Sequence, residues 1–298
     1  MRMPIRQPHL LSIYRNYPIF ELSLMWTESV DLHCHSWHSD GLWAPREMAK
    51  RAFEAGVRVW SLTDHDTNTG WQEAQEECDK LGMRFIPGVE ITCEVEIKSE
   101  THSPTSWHLL AYFPEGASLE FTNWLSELKE ARVPRMKSML SALKEYGHEI
   151  PLAEVEKHAE GSLGRPHLAR AMVEHGIVES VQQAFEEWIG DTGPAFRERP
   201  LPSISHAVET VHEAGGITSL AHPTYYGIST EILIPTLLKL GVDCIEAMHN
   251  SHLDSYRFEL IQQGMPITVG GDSHGTERRP SPGRMAVPIN HLHPCFHP

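Results

Sequence analysis

Seven short stretches of this chain carry histidine, aspartate and glutamate at spacings that suit metal chemistry. They are Asp31-Leu32-His33-Cys34-His35 with Ser39-Asp40-Gly41, Thr63-Asp64-His65-Asp66, Pro87-Gly88-Val89-Glu90, a segment opening at His108, Ala221-His222-Pro223, a segment ending near Glu246 and His249, and Gly271-Asp272-Ser273-His274. On a strand, residues two apart face the same way, so His33 and His35 share a face, as do Asp272 and His274. Cys34 then points to the opposite side and reads as a small buried apolar residue. Imidazoles and carboxylates converging in this number repel and desolvate one another unless cations sit among them, so bound metal is the economical reading. The chain holds 20 histidines. His102, His148, His158, His175, His206 and His212 read as ordinary surface or core residues, and His291, His293 and His297 as part of an irregular tail.

These groups need elements that bring them to one place. Apolar, β-branched runs cover 29–34, 58–63, 84–91, 107–113, 217–221, 243–247 and 266–270. Helical patterns alternate with them over 45–55, 72–81, 203–214, 229–240 and 252–263, each closing on a glycine. Strand–helix alternation predicts a parallel sheet, and seven repeats predict a barrel. Catalytic groups collect where barrel strands end on one rim, which is where the motifs fall. The alternation stops between about 114 and 190, where only helical patterns occur. The expected organisation is an N-terminal extension over 1–28, a discontinuous barrel over 29–113 and 191–298, and a helical insertion or lid over 114–190. The extension reads as a strap, or as extra sequence from an upstream start, with Met25 as an alternative start.

Composition narrows the function. The 298 residues carry a net charge of −15, with 40% hydrophobic and 22% charged residues. A chain this acidic does not suit a DNA duplex or a long nucleic-acid track. No run of 18 apolar residues occurs, which argues against a membrane partner. Pro8, Arg15 and Pro18 interrupt any signal-peptide core. Five cysteines without a CxxC pair argue against a disulfide framework or a thiolate zinc site and fit a reducing cytoplasm.

The segments D-L-H-C-H-S-x-x-S-D-G at 31–41, L-T-D-H-D at 62–66, P-G-V-E at 87–90, A-H-P at 221–223 and G-D-S-H at 271–274 resemble the PHP (polymerase and histidinol phosphatase) domain over about 30–275. R-P-H-L-A-R at 165–170 is similar to a subfamily of bacterial nucleotide phosphoesterases that includes a 3′,5′-nucleotide bisphosphate phosphatase and a 5′-to-3′ RNA exonuclease. The resemblance implies an α/β fold, a distorted (β/α)7 barrel with an all-α insertion. It also implies two or three divalent metal ions. One would take His33, His35, Glu90 and Asp272. A second would share Glu90 and add His108 and His222. A third would take Asp40, His65 and His274. Imidazole and carboxylate ligands suit Mn²⁺, Fe²⁺ or Zn²⁺ alike. Asp64 and Asp66 read as support for His65 or as a helix N-cap.

Such a centre hydrolyses phosphate monoesters with water made nucleophilic by metal. Glu90, Asp272 and His222 are the expected catalytic residues. The expected substrate is a small phosphorylated molecule, a nucleotide such as an AMP-like or 3′,5′-bisphosphate compound. Arginine suits phosphate through its planar fork. Arg165 with His167 leads the expected phosphate contacts, followed by Arg135 and Arg197; Arg132, Arg170 and Arg199 are further cations in this region. Tyr225, Tyr226 and Trp107 are candidates to stack on a base, and His249 to serve the leaving group. The related phosphatases read A-H-P-G-R-Y where this chain has Ala221-His222-Pro223-Thr224-Tyr225-Tyr226, and they carry a lysine where 192–196 has none. Both missing cations leave preference for a doubly phosphorylated nucleotide open. Exonuclease action on short RNA ends, a histidinol-phosphate phosphatase and a non-catalytic PHP module remain alternative readings.

Overall fold

The computed structural model describes residues 26–97, 106–276, 279, 281–283 and 285–298. His102 and most of the N-terminal extension lie outside the described residues. Strand β1 (Trp26–Thr27) pairs antiparallel with β10 (Val287–Pro288), so the end of the extension meets the C-terminal segment. Strands β2 (Val30–Asp31), β3 (Val59–Trp60) and β4 (Arg84–Phe85) form a parallel three-stranded sheet. Strands β5 (Gly88–Cys93), β6 (Trp107–Tyr112), β7 (Ile217–Leu220), β8 (Cys244–His249) and β9 (Ile267–Gly270) form a five-stranded sheet in that order. Contacts join the two sheets at both edges. Leu32 N donates to Val269 O at 2.9 Å, and Cys34 bridges Ser273. On the other side Asp66 N donates to Glu90 O at 3.1 Å, and His65 bridges Glu90.

Two strand expectations are corrected. The run over 84–91 is two strands, because Pro87 has no N–H to donate and interrupts the ladder. The fourth run, β6, lies antiparallel to both neighbours, β5 and β7. A parallel return needs a crossover of a dozen or more residues, usually a helix; the link from β5 to β6 spans 94–106 and has no helix among its described residues. Reversal brings the start of β6, rather than its end, to the rim where the other motifs lie, and His108 stands there.

Helices follow the predicted caps. Helix α1 (Pro45–Glu54) starts on proline, and α2 (Trp71–Leu81) ends on left-handed Gly82. Helix α3 (Leu119–Glu130) begins at Ser118, whose hydroxyl accepts from Phe121 N. It places Phe121 and Leu125 in the main core with Ile91, Leu109, Leu220, Ile245 and Ile267. Helices α4 (Arg132–Glu145), α5 (Leu152–Glu156), α6 (Arg165–Glu174) and α7 (Val181–Ala184), with a π-helical turn over Phe185–Ile189, bury a separate cluster running from Met136 to Ala195. The chain then returns through α8 (Ile204–Glu213), α9 (Thr230–Leu240) and α10 (Asp254–Gln262). The C-terminal segment is docked rather than irregular: Leu292 and Phe296 are buried, and His293 N donates to Ile267 O. Burying those apolar side chains holds the segment on the edge of β9.

Candidate metal centre

Glu90 on β5 is the hub, with 1% of its surface exposed. Its Oε1 faces His108 Nδ1 at 2.8 Å and His222 Nε2 at 2.9 Å. Its Oε2 faces His65 Nδ1 at 3.0 Å, His35 Nε2 at 3.1 Å and His33 Nε2 at 3.4 Å. Asp272 Oδ1 lies 3.3 Å from His35 Nε2, 3.4 Å from His274 Nδ1 and 3.5 Å from His33 Nε2. Asp40 Oδ1 lies 3.2 Å from His274 Nε2 and 3.9 Å from both His65 Nε2 and His35 Nδ1. All nine expected ligand residues therefore meet. The ligand atoms of His35, Asp40, His65 and His274 lie within 4.8 Å of one another, as do those of His33, His35 and Glu90, and of His65, Glu90 and His108.

The backbone is bent to reach this arrangement. Asp66, His222 and Asp272 take positive φ values of 50°, 30° and 49°. Such conformations are uncommon for residues with a Cβ and cluster at functional sites. Gly270 leaves room for the pair behind: a Cβ there would lie 2.2 Å from His33 Cβ and 2.8 Å from Glu246 Oε1.

The donor set fits divalent metal ions. Asp40 Oδ1, His65 Nδ1, His222 Nδ1 and His249 Nε2 are buried without a hydrogen-bond partner among the described residues, a costly state for polar atoms. His65 Nδ1 lies 3.0 Å from Glu90 Oε2 without a hydrogen bond to it. Charge tells the same story. Burial pushes the Glu90 carboxyl up, but His65, His108 and His33 outweigh it and hold it well below the carboxylate range. Burial likewise opposes ionisation of Asp40 and Asp272; His274 and His65 around Asp40, and Arg279 and His33 around Asp272, reverse that effect and lower both. Burial disfavours charge on His35, yet Asp272 and Glu90 push it up to about 9. Burial dominates at His65, down to about 3, and at His222, down to about 4. Neighbouring imidazoles driven in opposite directions around ionised carboxylates leave a site that a dication suits.

A cleft of about 780 Å³ opens beside Asp40, His65 and His108 and is lined on its other side by Arg132, Arg135, Arg165, His167 and Arg199. Arg165 donates to Asp191 Oδ1 at 2.6 Å and lies over the rings of Phe185 and Phe196. His167 is buried; its Nδ1 accepts from Gly164 N, and its Nε2 is unpartnered among the described residues. Arg135 Nε donates to Arg197 O. Burial and the nearby Arg165, Arg132 and Arg199 lower Arg135 to about 9.

Other candidates stand elsewhere. Arg197 lies off the cleft and donates to Pro194 O and Phe196 O. Arg170 donates to Asp40 O at 2.7 Å. Tyr225 is exposed beside His222, with ring centroids 5.1 Å apart, and does not line the cleft. Tyr226 and Trp107 are buried and stack on each other. His249 is buried, bonded to Ser251 Oγ at 2.7 Å and 3.5 Å from Asp272 Oδ2, so it stands behind Asp272.

Sequence reasoning left several partners unassigned. Asp64 accepts from Ser36 N, Ser36 Oγ and Ser39 Oγ and so holds the turn that carries Asp40. Asp66 caps no helix, since α2 begins at Gly70 without a side-chain cap. Instead it takes Arg132 Nη2 at 2.6 Å, Arg199 Nη2 at 2.5 Å and Thr92 N at 2.8 Å. Arg279 Nη1 forms an ion pair with Asp272 Oδ2 at 2.7 Å from a loop with no recognisable signal. Glu246 lies beneath His33 and His222; its one signal was its position three residues before His249 on the same run. Burial pushes Glu246 up, and His33 and His249 bring it below its usual range.

Residues 31–194 match the PHP domain family. A 5′-3′ exoribonuclease from Haemophilus influenzae is 34% identical over 203 residues, covering 68% of this chain and 72% of that protein. A 3′,5′-nucleoside bisphosphate phosphatase from Chromobacterium violaceum is 26% identical over 277 residues, covering 88% of this chain and 91% of its own. A solved structure described as a metal-dependent phosphoesterase, from Bifidobacterium adolescentis, superposes with a TM-score of 0.75 at 26% identity, over 88% of this chain and 96% of that one. With that match and a centre rich in unsatisfied imidazole and carboxylate donors, the chain belongs to the PHP domain family and is a metal-dependent phosphoesterase.

Proposed function

We propose that the chain hydrolyses phosphate esters of nucleotides, with two or three divalent metal ions held by His33, His35, Asp40, His65, Glu90, His108, His222, Asp272 and His274. The observation that carries this reading is the shared cleft, with metal-suited donors on one side and Arg132, Arg135 and Arg165 on the other. Bound metals supply acidified water and neutralise phosphate oxygens. The protein's own residues do the rest. Glu90 directs one oxygen to each of two histidine sets, so one carboxylate would serve metal held by either set. Arg165 and Arg135 orient the substrate's phosphate through paired N–H donors. Within 114–190, the helices over 132–189, which bury their own cluster, act as a lid that limits water at the reacting end. We read the two sheets as one distorted barrel of seven staves, with β4 and β5, split at Pro87, forming a single stave, supported by the Leu32–Val269 and Asp66–Glu90 contacts at their edges.

A turnover panel with Mn²⁺ tests the substrate: mononucleotides, 3′,5′-bisphosphates, 5′-phosphorylated short RNA, histidinol phosphate and an aryl phosphate. Nucleotide phosphates turning over fastest is the expected result. Histidinol phosphate alone being hydrolysed overturns the nucleotide reading. Likeness to the Haemophilus exoribonuclease favours a second reading, removal of nucleotides from short RNA 5′ ends. Stepwise shortening of the RNA by single nucleotides distinguishes it from simple dephosphorylation.

A further inference from the structure

Glu246 touches neither the cleft nor the Glu90 hub, yet it is fully buried at the back of the centre and uses both oxygens. Oε1 accepts from His33 Nδ1 at 2.8 Å, and Oε2 accepts from the backbone N–H of His222 at 2.7 Å. These two histidines approach Glu90, one near each of its oxygens. With Nδ1 donating, a neutral His33 ring keeps its lone pair on Nε2. That atom faces His35 Nε2 at 3.1 Å, Glu90 Oε2 and Asp272 Oδ1, the space a cation would fill. At His222 the left-handed backbone turns the ring inward from the end of β7, and the bond from its N–H to Glu246 ties down that strained residue. The strand that carries Glu246 shifts register just after it, between Glu246 and Met248, and Gly270 on β9 leaves the space the His33–Glu246 pair occupies.

We infer that Glu246 is a positioning residue for the metal centre, fixing the His33 ring tautomer and the His222 backbone together so that two ion positions are preorganised by one carboxylate. The inference rests on the metal reading of this site. His249, whose Nε2 is unpartnered among the described residues, lies in the same group as His33 and Glu246. Direct ligation by Glu246 is therefore the competing role, and the test separates the two.

Glu246→Gln keeps the shape but exchanges one acceptor for a donor. If its oxygen stays with His222 N–H, its NH₂ meets His33 Nδ1 and drives the ring proton onto Nε2. Zn²⁺ binding is measured by chelator competition in the full-length parent and in the variant, with circular dichroism to confirm folding. The expected result is an unchanged spectrum with Zn²⁺ affinity lowered tenfold to a hundredfold. Equal affinity in a folded variant overturns the positioning role. A parent that binds no Zn²⁺ refutes the metal reading instead, so the two failures are distinguishable. A second measurement needs no variant at position 246. Long-range ¹H–¹⁵N spectra of the Zn²⁺-loaded parent, with His33 assigned by comparison with His33→Asn, should show His33 protonated on Nδ1 and metal-shifted at Nε2. A His33 ring without a proton on Nδ1 means that the Glu246 side holds the ion, and overturns the inference even if the Gln variant does not fold.

Discussion

At the scale of single residues, Glu90 and Arg165 carry separable tasks. Glu90 faces five imidazoles with two oxygens, so removing its charge disturbs every ion position it serves. Glu90→Gln should lower turnover at least about a hundredfold and reduce metal content in elemental analysis, the upper part of the range for a disturbed metal site. Near-normal turnover with full metal content would remove it from the ligand set. Arg165 is held by Asp191 Oδ1 and Ile189 O. A charge-assisted bond to phosphate contributes about 1.5–3 kcal/mol. Arg165→Ala should therefore cut kcat/KM for a nucleotide roughly tenfold to a few hundredfold and leave metal content unchanged. A small aryl phosphate that does not reach the lid should lose less. Equal losses on both substrates would mean that Arg165 meets the reacting phosphate itself.

At the scale of elements, hydrogen-bonded carboxylates join pieces that local sequence leaves independent. Asp66, in the loop after the β3 run, receives Arg132 from the start of α4 and Arg199 from the return segment, so one carboxylate ties the helical region to the strand ends. Asp243 does the same outside the site: it accepts from Thr218 N, Thr218 Oγ1 and His212 Nε2, each at 2.8 Å, linking α8, β7 and the entry to β8. Burial raises the Asp243 carboxyl, and the bonds from His212 and Thr218 more than offset that, leaving it below its usual value. A depressed folded-state value adds stability that is present above the unfolded-state pKa near 3.9 and is lost as pH falls through the folded value. Asp243→Ala should destabilise by about 1 kcal/mol near neutral pH, a figure discounted for its partial exposure. The gap from the parent in urea melts should close in strong acid. A gap that does not change with pH would assign the loss to packing rather than to the carboxylate.

At the scale of the whole molecule, the nine proposed ligand residues come from β5 and β6 of the five-stranded sheet and from the segments that follow β2, β3, β7 and β9, so metal binding there would be linked to the stability of the entire fold. A ligand at a hundred times its Kd stabilises by about 2.7 kcal/mol. Chelation should therefore abolish turnover and lower the melting temperature by several degrees, and added Mn²⁺ should restore both. A chelated protein with full activity would overturn metal dependence. The histidine pair was legible from the chain because period-2 spacing is local: His33 and His35 flank the bridge at Cys34 and share a face. The alternation of strands and helices was legible for the same reason, through proline starts and glycine stops within each segment. Asp272 and His274 lie past the end of β9 and meet through a left-handed turn at Asp272, which spacing alone does not show. The tertiary structure decided what depends on non-local pairing. It reversed β6, so that His108 enters the rim from a strand's start. It split 84–91 at Pro87 and docked the C-terminal segment on β9. It also chose among chemically equivalent arginines: Arg132, Arg135, Arg165 and Arg199 line the cleft, Arg132 and Arg199 of these being bound to Asp66, while Arg197 turns to the backbone off the cleft. Glu246 needed the fold most, because a buried carboxylate acquires its role from two partners 213 and 24 residues away, a distance over which no local pattern carries information.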